Sequence, residues 1–156
     1  MNQFIDSKKR AHALEITLGT ALKVREAIGV DLLNPTDKTD NGDPLSTRLL
    51  YDDVFLGVVC YHLLADQLAE KEISKDDFLN ALDGESTKRL DKAFWDEYRF
   101  FFQARGKEWI VEATKLDVAA RDDALAKTLA SVQSSVSTGG ASTNLQVVPD
   151  SETLDL

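Results

Sequence analysis

Apolar and polar positions alternate with a period of two in one stretch only, where Ala13, Leu14, Glu15 and Ile16 follow the turn residues Asp6-Ser7 and the pair Phe4-Ile5. Such alternation next to turn chemistry predicts a short β-hairpin within residues 4–16. From Leu18 the spacing becomes helical: Leu18, Leu22, Arg25 and Ile28 lead to Gly29 as C-cap, with Thr17 as N-cap. Val30, Leu32 and Leu33 then form an apolar clasp. Asn34-Pro35 stops any helix, and the acidic stretch to Pro44 reads as a solvated loop.

Between Val54 and Leu68 apolar residues occupy nearly every side of a helix, so this element is expected to be central and surrounded. Asp52 and Asp53 suit its N-terminus, where carboxylates complement the helix dipole. Ser74 followed by Asp77 is a capping-box variant, predicting a short helix to about Leu82 that ends at Gly84. Ser86 opens a longer helix, and Gly106 divides it from a further stretch through Leu125. On that long helix, Phe94, Tyr98 and Phe101 fall within about 80° of Leu90, and Trp95 and Phe102 at about 120–140°. Lys92, Asp96, Arg99 and Gln103 share the other side. The apolar arc is therefore wider than the ~100° stripe of a surface helix. Either the helix is wedged between two neighbours, or part of the arc stays open as a groove for an apolar partner segment. In the second case Trp95 and Phe102, with Trp109 and Ile110 just beyond, are the partner-binding candidates.

Composition changes beyond Ala130: the last 26 residues carry six Ser, three Thr, no Lys or Arg and no aromatic ring. They cannot bury enough apolar surface to offset the entropy of ordering, so 1–130 is expected to be a helical domain and 131–156 a flexible extension. The fold class is thus mainly α, a compact helical domain with a small N-terminal hairpin and a disordered C-terminal extension. Of the net charge of −9, −6 belongs to residues 1–130. An acidic chain repels phosphate backbones and anionic lipid, which argues against nucleic-acid or membrane partners. The longest nearly apolar run, Val54 to Ala65, falls short of the ~20 residues that span a bilayer. No apolar signal segment follows Met1, and the single Cys60 forms no intramolecular disulfide, so a cytoplasmic setting is expected.

Chemistry-bearing patterns are sparse. His12 and His62 are the only histidines, and Cys60 and His62 point about 200° apart on one helix, so they do not chelate one ion together. His62 reads as a core-edge residue with one ring nitrogen hydrogen-bonded, and Cys60 as a small buried hydrophobe. The loop from Asp37 opens like an EF-hand, but its twelfth position is Arg48 where a bidentate Glu is required. Neither a glycine-rich phosphate loop nor a nucleophile with its base is present. No catalytic residue, metal or cofactor is expected, and the chain reads as a binding protein.

Two segments, Leu18-Gly19-Thr20 through Gly29-Val30-Asp31-Leu32-Leu33 and Tyr51-Asp52-Asp53-Val54 to Gln67 followed by Ile73-Ser74-Lys75-Asp76-Asp77-Phe78, resemble in order and spacing the tail assembly chaperones of long-tailed bacteriophages. The resemblance covers roughly residues 4–116. It implies a non-enzymatic helper in the host cytoplasm that binds the apolar, helical tape measure protein, keeps it soluble and recruits tail tube subunits. Members of that family often occur in a short form and a longer, frameshifted form. The alternative is a structural tail component retained in the virion.

Overall fold

The computed structural model describes the backbone of residues 2–154 and the side chains of residues 2–136. Among the described residues the chain is mainly α, with one hairpin followed by seven helices. It divides into two units, Met1–Lys115 and Leu116–Leu156.

In the first unit, β1 (Asn2–Ile5) pairs antiparallel with β2 (Ala11–Leu14), Phe4 lying opposite His12. The turn is built by Asp6, whose Oδ1 accepts from the backbone N–H groups of Lys8 and Arg10 at 2.9 and 3.0 Å. These bonds hold Lys9 in the left-handed region, φ 65°, which a residue with a Cβ rarely adopts. A two-stranded sheet leaves both outer edges unpaired, and side chains occupy part of each here. Gln67 both accepts from Ala13 N and donates to Ala13 O, at 3.2 and 2.7 Å, as a neighbouring strand would. Lys71 donates to Ala11 O, and Arg89 to Ile5 O on the opposite edge.

Helix α1 (Leu18–Ile28) begins at a reciprocal capping box between Thr17 and Thr20 and ends at Gly29, φ 71°, whose N–H returns to Arg25 O. A left-handed C-cap of this kind favours glycine because a Cβ is strained there. Helix α2 (Leu45–Tyr51) is not foreseen by the sequence reading. It is only seven residues long and opens without a side-chain cap, so its buried Leu45, Leu49 and Leu50 make too brief a period to read.

The single helix expected from Val54 to Leu68 is two: α3 (Asp53–Leu63) and α4 (Ala65–Glu70), with Leu64 between them. Neither glycine nor proline stands at the break. Asp52 caps α3 by accepting from Phe55 N. Ser74 caps α5 (Lys75–Asn80) through Asp77 N, as expected.

Gly84, expected to end α5, is instead the first residue of α6 (Gly84–Ala104). Asp83 is the cap, its Oδ1 accepting from Ser86 N and Oγ at 2.9 and 2.6 Å. Gly106 separates α6 from α7 (Glu108–Leu154), and residues 131–136 continue α7 with exposed side chains. The remaining side chains of the expected flexible extension lie outside the described residues.

The core forms where α3 packs on α1, α2, α5 and α6, while α6 lies on the hairpin. Phe55, Leu56, Val59, Cys60 and Leu63 make α3 the central element, although Val54, read as part of its apolar surround, is 73% exposed.

Candidate functional site

The aromatic face of α6 resolves in favour of the wedged helix. Trp95 and Phe102, the two candidates for an open groove, are each 1% exposed. Both belong to the core, and the groove reading is corrected on that ground: α6 packs on the hairpin and on α3, and both rings lie inside. Their rings interlock with those of Phe94 and Tyr98, with Phe94 edge-on to Trp95 at 5.3 Å and Tyr98 tilted against Phe102 at 4.9 Å. Tyr98 anchors the cluster by donating its hydroxyl to Leu32 O at 2.5 Å, and burial pushes its ionisation far up. Ile110 is buried as well, so of the four candidates only Trp109, 64% exposed in the first turn of α7, stands at the surface. Phe101, which the helical wheel places beside Leu90, is only partly buried in the last turn of α6.

In the second unit, Leu125, Leu129, Val132 and Val136 are each more than half exposed. Their spacing of four, three and four residues sets them within about 60° of one another on α7. This is the a/d spacing of a helix-pairing seam. The sequence reading followed the helical pattern only to Leu125, because the Ser-rich composition beyond Ala130 masked the two valines.

A cleft of about 520 Å³ opens beside the 30–44 loop in the first unit, between the end of α1 and helices α2 and α3. Leu45 and Phe55 are its buried apolar floor. Asp31, Asp37, Asp40 and Asp52 stand around it with Lys38 and Arg48. Arg48, the residue that spoils the EF-hand pattern, pairs with Asp40 and lies 3.6 Å from Asp52, its guanidinium 4.0 Å from the Phe55 ring centroid.

The densest polar network is buried under the hairpin turn. His12 Nε2 lies 2.9 Å from Asp6 Oδ2, and Arg10 Nε donates to the same oxygen at 2.8 Å. Arg10 also reaches Asp77, which Lys8 contacts too. Burial alone would raise the Asp6 carboxyl, but the bonds from His12 and Arg10 outweigh it and hold it down at about 2. Burial lowers His12 despite the attraction of Asp6, so the ring is neutral and its Nε2–H donates to the carboxylate. Phe4 and Phe78 pack on the imidazole, with centroids 5.1 and 5.6 Å away. Neither Asp6 nor His12 is open to a substrate, and the pair organises the turn.

A pH dependence follows. Both groups are depressed on folding, so both contribute stability above their unfolded values and lose it as pH falls. Stability should decline first below about pH 6.5, as His12 is forced to protonate, and again below about pH 3.9 as Asp6 follows. Denaturation midpoints measured across pH should show both stages, and His12→Phe should shrink the first, leaving the part owed to His62, which burial also lowers.

Cys60 is buried, and burial pushes its thiol well above the usual range. His62 is part-buried, edge-on to Tyr61 at 5.0 Å and lowered by burial. No group of three or more His, Cys, Asp or Glu among the described residues is placed to hold a metal ion, and no described helix is long and apolar enough to cross a membrane. No family model, curated protein or solved structure matches the chain.

Proposed function

We propose that this chain is a tail assembly chaperone: a non-enzymatic protein of the host cytoplasm that binds the tape measure protein, keeps it soluble and helps recruit tail tube subunits. The observation that carries the reading is the row Leu125, Leu129, Val132 and Val136, an apolar helical seam exposed to water. Single exposed apolar residues are ordinary, but a contiguous row at pairing spacing fits a surface that another helix covers. A long, apolar, helical partner supplies such a helix. The resemblance of residues 4–116 to phage tail assembly chaperones supports the same reading from a different part of the chain.

The test is co-expression with a tape measure protein of a long-tailed phage, taken from the same genome where it encodes one. The parent chain should co-purify with the tape measure product. Leu129→Asp combined with Val132→Asp should abolish recovery while leaving thermal stability within about 0.5 kcal/mol, as for surface changes away from packed features. Mass spectrometry of purified particles should not find the chain, because a chaperone leaves before the tube closes. Stoichiometric recovery from mature virions would instead establish a structural tail component.

A further inference from the structure

We propose that the cleft beside the 30–44 loop binds a short peptide segment of a partner protein in which an apolar side chain is flanked by lysine or arginine. The apolar half of that chemistry follows from the floor and walls, where Leu45, Phe55, Ile28 and Val58 enclose a volume within the usual ~300–1,000 Å³ of binding clefts. The cationic half follows from the rim. Four carboxylates, Asp31, Asp37, Asp40 and Asp52, face two cations, Lys38 and Arg48.

Arg48 is already committed, bracketed by Asp40 and Asp52 and stacked on Phe55. It is itself an example of what the cleft accepts: a guanidinium lying on an aromatic floor between carboxylates. Asp31 is partly satisfied, its oxygens accepting from Leu33 N and Asn34 Nδ2. Asp37 makes no side-chain ion pair among the described residues. An anionic ligand would meet this excess of negative charge and the chain's own −9, which attract a basic segment at long range.

The opening argues for a peptide over an enclosed metabolite. Val54 lines the cleft yet is 73% exposed, so apolar surface continues out of the cavity onto the face of α3. A ligand that uses both must extend beyond the cavity, as a peptide does.

Calorimetric titration of the full chain at low salt tests this with three synthetic peptides, built from Leu-Lys, Leu-Glu and Ser-Lys repeats. The Leu-Lys peptide should bind and the other two should not. Val54→Lys, a change at an exposed position that leaves the core intact, should weaken binding by roughly tenfold or more by adding a like charge at the mouth. Val58→Trp, which fills the cavity, should do the same, with circular dichroism verifying its fold. Leu129→Asp should bind the peptide as the parent does, which separates this site from the α7 seam. Absence of binding, equal binding of the Leu-Glu or Ser-Lys peptide, or undiminished binding to Val54→Lys would each overturn the proposal.

Discussion

Asp6→Ala should be among the most destabilising single substitutions in the chain, costing about 3–5 kcal/mol, the range for breaking a buried ionic network by removing one partner. The carboxylate is fully buried and serves four donors: the N–H groups of Lys8 and Arg10, the Arg10 guanidinium and the His12 ring. Alanine would leave all four without their acceptor, in a turn that also needs Lys9 at a positive φ. Asp6→Asn keeps an acceptor for the two backbone groups but gives up the charge, so its cost should fall between that of alanine and zero. Urea denaturation of the three proteins at pH 7 is the measurement. Equal midpoints for parent and Asp6→Ala would show that the network is a surface ornament of the hairpin.

Trp95→Ala and Phe102→Ala should each cost about 3–5 kcal/mol, the range for emptying a packed aromatic site. Phe100→Ala, at an exposed position on the same helix, should stay within about 0.5 kcal/mol. Trp95→Phe should cost much less than Trp95→Ala, because it retains most of the ring volume and removes an indole N–H that is buried without a hydrogen bond. Chemical denaturation of the four variants decides the matter. If Trp95→Ala and Phe102→Ala unfold no more easily than Phe100→Ala, these rings are not in the core.

The parts of the fold legible in the sequence are those set by local chemistry. Thr17, Asp52 and Ser74 cap helices because their side chains reach backbone N–H groups within one turn, and Gly29 and Gly106 lie at positive φ where the chain must leave a helix. The failures came where tertiary contacts decide. Periodicity identified the broad arc of α6 but not what covers it, since its partners lie far away in sequence, as Ile16 N donating to Glu97 and Tyr98 donating to Leu32 O illustrate. Leu64 interrupts a helix with no breaker in the sequence. Gly84 reads as a stop because glycine commonly follows a helix, whereas the Asp83 side chain makes it a start. The site was less legible than the fold. Composition beyond Ala130 argued against any apolar seam, although four well-spaced side chains are enough for one. The cleft depends on Arg48 folding back over Phe55, a contact between α2 and α3 that spacing alone does not reveal.

The amide of Gln67 that completes β2 also limits how this molecule meets its own kind. A small sheet with a bare edge is a template on which another chain can add a strand, and that route leads to swapped dimers and aggregates. Here Ala13 has both backbone groups taken by one side chain, and Ala11 and Ile5 are claimed by Lys71 and Arg89. With these groups occupied, the sheet offers fewer free backbone donors and acceptors to a second chain. By this means the hairpin becomes a poorer template for strand addition, without a proline or a bulge in either strand.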